Sequence, residues 1–227
     1  MNNITKTYVI SDAHGCYHTL LKLLEQLPQG SDLIFVGDLC DRGLYSKEVI
    51  EFVMSNNYRC IKGNHDHYMI ENIEECIKGS QVRWNREEYM GGKQTIDSYK
   101  DDHESVQKHL HWLRSLPNYL LIDNYFITHA FCLPYFKRRD DKDKTHAMMV
   151  NRVADEDEWK WDWEDGYKEY YVINIFGHDH SDSVQVAKNY FGIDTGCVYG
   201  GKLTAIELGS MKLFEQSLVQ KDISDNI

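Results

Sequence analysis

Five short clusters of aspartate, histidine and asparagine could carry chemistry: Asp12 with His14, Asp38 with Asp41 and Arg42, Asn64 with His65 and Asp66, His129, and His178 with His180. Any one of them alone reads as an ordinary loop or turn. Together they offer imidazole nitrogens and carboxylate or amide oxygens, a donor set that suits Mn, Fe, Zn or Mg. They contain no thiolate, which argues against a structural zinc site. More donors are present than one ion needs. Two divalent cations about 3.5–4 Å apart, bridged by a carboxylate, would use them, and such a pair is suited to in-line displacement at phosphorus. Arg42 directly follows Asp41, so a cation and an anion could be held side by side there.

The elements around these clusters place them together. Residues 5–10, 33–36 and 58–61 are apolar or β-branched runs that read as strands, each ending in one of the first three clusters. Leucines from Leu20 to Leu27 recur at helical spacing until Pro28 and Gly30. Further helices are expected over 47–54 and from the third cluster through Ile77. Strand, polar cluster and helix thus occur three times in about 75 residues, the pattern of repeated βαβ units with ligands beyond the strand carboxyl ends. Residues 79–103 are polar, hold the Gly91-Gly92 pair and are expected to loop. A helix ending before Pro117 precedes strands at 119–122 and 125–128, the second closing on His129. Residues 171–176 restore a strand that ends at His178. Short strands follow near 183–187, 190–193, 202–208 and 211–216. Residues 1–219 read as one α/β domain, and the polar stretch 220–227 as a frayed tail.

The totals exclude several classes. A formal net charge of -11 over 227 residues is the wrong sign for a broad nucleic-acid-binding surface. Six scattered cysteines, with no paired spacing, read as reduced thiols. No apolar run approaches the length of a membrane span, and the chain passes from Met1 to its first strand without a basic-then-apolar leader. The expectation is a soluble, cytoplasmic protein that engages neither nucleic acid nor membrane.

The clusters Asp12-Ala-His14-Gly15, Gly37-Asp38-Leu-Cys-Asp41-Arg42-Gly43, Gly63-Asn64-His65-Asp66, His129 and Gly177-His178-Asp179-His180 resemble, in order, those of the calcineurin-like metallophosphoesterases. The Asp41-Arg42-Gly43 extension resembles the phosphoprotein phosphatase branch, which includes small bacterial and phage-type serine/threonine phosphatases and symmetrical diadenosine tetraphosphate hydrolases. The likeness runs from residue 4 to about 208. It has further echoes in Gly91-Gly92 with Thr95, in His111-Trp112-Leu113, and in Ile193-Asp194-Thr195-Gly196-Cys197. It implies the metallophosphoesterase fold: two packed mixed β-sheets flanked by helices, with the metal site at the strand carboxyl ends.

The resemblance also implies roles. Asp12, His14 and His180 would hold one divalent metal, Asn64, His129 and His178 the other, and Asp38 would bridge them, with manganese the foremost choice. His65 would be the general acid, oriented by Asp41. Arg42 and Asn64 would bind the phosphoryl oxygens, joined by Arg152 and by Lys62, which stands where small phage-type relatives have an arginine. An ammonium lacks the bidentate fork of a guanidinium, so Lys62 departs from that pattern. The implied activity is hydrolysis of phosphate monoesters on a phosphorylated protein or small phosphoester, foremost as a serine/threonine protein phosphatase. The alternatives are a symmetrical dinucleoside tetraphosphate hydrolase and a catalytically silent binding module. Residues 155–166, acidic and carrying Trp159, Trp161 and Trp163, could form a lid that repels polyanionic nucleotides and tolerates cationic peptides. That segment tilts the reading toward phosphoprotein.

Overall fold

A computed structural model describes residues 6–100, 102–153 and 172–224. In chain order the elements are β1 (Thr7–Ile10), α1 (Tyr17–Leu24), β2 (Asp32–Phe35), α2 (Ser46–Ser55), β3 (Arg59–Cys60), α3 (Asn64–Ile77), α4 (Arg83–Arg86), α5 (Gly92–Tyr99) and α6 (His103–Ser115). They continue with β4 (Tyr119–Ile122), β5 (Tyr125–Thr128), α7 (Ala147–Val150), β6 (Ile173–Phe176), β7 (Gln185–Ala187), β8 (Tyr190–Gly192), β9 (Lys202–Glu207) and β10 (Leu213–Ser217).

Ten strands form two five-stranded mixed sheets, β10-β9-β1-β2-β3 and β4-β5-β6-β8-β7. In the first, β1, β2 and β3 run parallel, and in the second β5, β6 and β8 do. Their carboxyl ends therefore gather at one end of each sheet, the α/β arrangement of two packed mixed sheets that the resemblance implies.

Side-chain alternation explains why the sheets stack. In and just beyond the strands, Val9, Ile34, Val36 and Ile61 from the first sheet meet Ile127, Ile175 and Ile193 from the second in a layer whose fully buried residues are all β-branched. The intervening positions point the other way. Tyr8, Ile10, Leu33 and Phe35 face helices α1 to α6, while Phe126 and Phe176 face a smaller cluster with Phe131, Tyr135 and Met148. Strands buried on both faces read as continuous apolar runs, which is how these segments appear in the sequence.

Two expectations need correction. Residues 79–103 are not a loop: α4 and α5 occupy much of the segment, and α6 begins at its end. Trp84, Thr95 and Tyr99 are buried, and the Asp102 side chain caps α6 by accepting from Ser105 N at 3.0 Å. These helices are short and polar on their outer faces, so their periodicity is weak. Nor is the tail frayed from residue 220. Asp222 is fully buried. Its carboxylate accepts from the backbone N–H groups of His18 and Thr19 at 2.9 and 2.7 Å and from the Thr19 hydroxyl at 2.7 Å. Its carbonyl accepts from Leu44 N at 2.9 Å, which ties the chain end to the loop carrying Arg42. The polar residues of this segment satisfy the start of α1. The proposed lid over 155–166 lies outside the described residues. All six cysteines are buried free thiols, and no helix among the described residues is long and apolar enough to cross a membrane.

Candidate active site

The loops after β1, β2, β3, β5 and β6 converge, and their backbones are unusual. His14, Asp38, Asp41, Arg42 and His178 all have positive φ, between 40° and 74°. A residue other than glycine held there costs about 1–3 kcal/mol and persists only where its surroundings impose it. The surroundings are visible around Asp66. Its carboxylate accepts from the N–H groups of Asp38, Leu39 and Gly63 at 2.9–3.0 Å, pinning the loop after β2 to the one after β3. Burial, and then the nearby Asp38 charge, raise its pKa to about 6.

Asp38 occupies the middle of the site. One of its oxygens, Oδ2, lies 3.5 Å from His14 Nε2 and 3.4 Å from His129 Nε2, and the other accepts from His65 N at 2.8 Å. Both histidines are oriented from behind. His14 Nδ1 donates to the Cys40 carbonyl and His129 Nδ1 to the Val36 carbonyl, each at 2.8 Å, which turns both Nε2 atoms toward the shared carboxylate. Asn64 Oδ1 is 2.9 Å from His129 Nε2. Two donor groups result, His14–Asp38–His65 and Asp38–His129–His178, each with ligand atoms within 4.8 Å of one another. Asp38 belongs to both.

Asp12 is buried, and one carboxylate oxygen accepts from His178 N at 3.0 Å while the other, Oδ1, has no hydrogen-bond partner among the described residues. Burial and the neighbouring Asp194 push its carboxyl well above the usual range, and burial also raises Asp194. Burial would lower His129, but the charges of Asp38 and Asp12 lift it to about 10. Buried carboxylates, an orphaned carboxylate oxygen and imidazoles aimed inward together call for positive charge, and hard oxygen and nitrogen donors fit divalent cations. The cradle is close: a Cβ at Gly177 would stand 1.8 Å from Asp12 Oδ1, and one at Gly63 2.1 Å from Asp38 Oδ1.

Next to the cradle, Arg42 spreads its guanidinium across two imidazoles, with Nη1 2.5 Å from His14 Nε2 and Nη2 2.8 Å from His65 Nε2. The other nitrogen of His65 lies 2.6 Å from Asp41 Oδ2. Asp41 is itself fully engaged, accepting from Trp84 Nε1 at 2.8 Å and from the Thr95 hydroxyl at 2.6 Å. A guanidinium, an imidazole backed by a carboxylate and a bridging carboxylate on one spot can bind a phosphoryl group and protonate its leaving oxygen.

Three expected residues are placed differently. His180 is exposed, its ring lies 4.8 Å from that of Tyr199, and it stands in neither donor group. Arg152 sits at the rim, with Nη1 2.6 Å from Asp179 Oδ1, and its charge helps lower His178, which burial and then His129 bring to about 3. Lys62 makes no ion pair among the described residues, and burial lowers its pKa. Asp194, Trp84 and Asp66 were not given roles from the sequence. Asp194 follows β8 just as the other clusters follow their strands, a signal that was present. The indole of Trp84 gives no sequence sign that it donates to a carboxylate.

Fold and site together define a metal-dependent phosphoester hydrolase. Residues 5–182 match the family model for calcineurin-like phosphoesterase, and the chain belongs to that family. It is 30% identical to the asymmetrical bis(5'-nucleosyl)-tetraphosphatase PrpE of Geobacillus sp. (strain WCH70), over 88% of this chain and 89% of that one. It is 29% identical to the symmetrical bis(5'-nucleosyl)-tetraphosphatase of Methylobacillus flagellatus, over 92% and 94%. Among solved structures, one assigned as a diadenosine tetraphosphatase superimposes with a TM-score of 0.67 at 21% identity, covering 96% of both chains. A Saccharomyces cerevisiae serine/threonine phosphatase similar to human PP5 superimposes with 0.63 at 15% identity, covering 99% of this chain and 82% of that one. At such identities these two show the fold alone.

Proposed function

We propose that this phosphoesterase hydrolyses a dinucleoside polyphosphate, the alternative of the sequence reading, in preference to a phosphoprotein. The observation that carries the choice is the likeness, along about nine-tenths of both chains, to relatives named for bis(5'-nucleosyl)-tetraphosphate cleavage. The protein-phosphatase reading leaned on the segment 155–166, which lies outside the described residues.

Two divalent cations, manganese foremost, would be held by His14, Asp38, His129, His178, Asn64 and Asp12, with His180 a further candidate. When bound they supply Lewis-acid charge and an acidified water. Arg42 binds the phosphoryl oxygens and stabilises charge that redistributes onto them in the transition state. Asn64, whose side-chain oxygen lies 2.9 Å from His129 Nε2, would contribute a further polar contact. Once a phosphoryl group takes up the Arg42 donors, His65 Nε2, which accepts from Arg42 Nη2 here, would be free to carry a proton to the leaving oxygen, while Asp41 accepts from Nδ1 and holds the imidazole in place.

The leaving group separates the two readings. A nucleotide departs as a phosphate oxygen that is already a stable anion, whereas a phosphoserine departs as an alkoxide that must be protonated. The experiment compares diadenosine tetraphosphate with a phosphoserine peptide on the manganese-loaded enzyme. The dinucleotide should show the larger kcat/KM by about tenfold or more. His65→Asn should cost the peptide about 10²–10⁴-fold and the dinucleotide distinctly less. A wild-type enzyme that prefers the peptide overturns the proposal.

A further inference from the structure

We infer that the cavity beside Arg42 is a seat for one base of the nucleotide substrate, stacked on Tyr89 and selective for bases that carry an exocyclic amino group. This rests on the dinucleoside reading above and adds to it a site with named residues.

The cavity holds about 550 Å³ and is lined by Arg42, Tyr89, Tyr199, Val198, Gln94 and Glu88, among others. That volume falls within the roughly 300–1,000 Å³ range of small-molecule sites. Arg42 links it to the chemistry. The ends of the guanidinium contact His14 and His65, while its Cζ lies 5.2 Å from the Tyr199 ring centroid and its Nε donates to the Tyr89 carbonyl at 3.2 Å. A phosphoryl group on the Arg42–His65 pair therefore has this cavity as its immediate neighbour.

Tyr89 and Tyr199 have no role in the phosphate chemistry and are 56% and 52% exposed. Arg83 Nε donates to the Tyr89 hydroxyl at 2.9 Å. Tyr199 ends the short turn Cys197–Tyr199, where its N–H donates to Gly196 O at 3.0 Å, and its ring rests against that of His180 at 4.8 Å. Rings ordered before binding lose little freedom when a base stacks on them. Glu88 brings a carboxylate, which can only accept hydrogen bonds, and Gln94 an amide that does both. An acceptor beside a stacking surface favours the exocyclic amine of adenine, guanine or cytosine.

The test uses the full, manganese-loaded chain with Tyr89→Ala and Tyr89→Phe. Tyr89 is chosen because its backbone carbonyl, not its ring, bonds Arg42. Three readouts are taken: kcat/KM on diadenosine tetraphosphate, kcat/KM on inorganic tripolyphosphate, which has no base, and calorimetric titration with adenosine. Tyr89→Ala should lower kcat/KM on the dinucleotide about tenfold more than on tripolyphosphate, and weaken adenosine binding by a similar factor. Tyr89→Phe, which keeps the stacking face, should restore both. Equal losses on the two phosphate substrates, or adenosine binding indifferent to Tyr89, would overturn the inference. So would Tyr89-dependent binding of a lysine-rich peptide in place of adenosine. If wild-type enzyme fails to cleave the dinucleotide while adenosine binding still depends on Tyr89, the base seat stands and the catalytic reading falls.

Discussion

The two sheets contribute unequal halves to the site. The loops after β1, β2 and β3 present Asp12, His14, Asp38, Asp41, Asn64 and His65, every one of them buried, and nearly all their polar atoms have a partner inside the protein. The second sheet matches this at His129 and at Asp194, which accepts from Gly196 N. His178 is less deeply covered, His180 is exposed, and Arg152 is held in a rim ion pair with Asp179. The contrast is one of imposed geometry. On the first side, left-handed backbone at four functional residues is held by the Asp66 and Asp41 networks, so reactive atoms are fixed before anything binds. On the second side the outer residues have solvent and one another as partners, so they can adapt.

The largest effect should come from the residue both donor groups share. Asp38→Ala removes the bridge and leaves His14 and His129 facing an empty position. Metal analysis should show bound manganese falling from about two equivalents to below one, with turnover essentially lost. Retention of both equivalents would mean that the halves bind metal independently and that the comparison is mistaken.

An intermediate effect is expected at Trp84, three bonds of contact from the reacting atoms through Asp41 and His65. Trp84→Phe keeps most of the packing but removes the N–H that Asp41 accepts, and loss of one such bond to a charged group is worth about 1.5–3 kcal/mol. The expected result is a fall of about tenfold in kcat with KM little changed, smaller on substrates with better leaving groups. A loss that is the same for every leaving group would assign Trp84 to packing alone.

The smallest effect belongs to the second side. Arg152→Ala frees Asp179 at an exposed rim, where a single ion pair contributes about 0–1 kcal/mol. Steady-state kinetics should show KM rising about threefold or less, with kcat unchanged. A loss comparable to that of Trp84→Phe would place Arg152 on the phosphate and erase the asymmetry.

The sequence made the inner half legible because parallel strands end together. A polar cluster after each apolar run predicts convergence without any knowledge of side-chain contacts, and Asp12, His14, Asp38, Asn64, His65, His129 and His178 are found together at those ends. What escaped depends on contacts between distant residues or on direction. The Asp222–Thr19 contact joins residues 203 apart in the chain. His180, two residues after His178, is exposed and stands in neither donor group despite its spacing. Trp84 lies in a four-residue helix too short for any periodic signal. The cavity beside Arg42 is built from Arg42, from residues between 87 and 94 and from Val198 and Tyr199, stretches far apart in the chain that form no motif.

The layer between the sheets has a further consequence. Val9, Ile34, Val36, Ile61, Ile127, Ile175 and Ile193 act as a spacer gauge, since stacked sheets stand about 10 Å apart and branched side chains offer few alternative rotamers. The gap between the two halves of the metal cradle is thus calibrated by hydrocarbon thickness, among residues that carry no charge and ligate nothing.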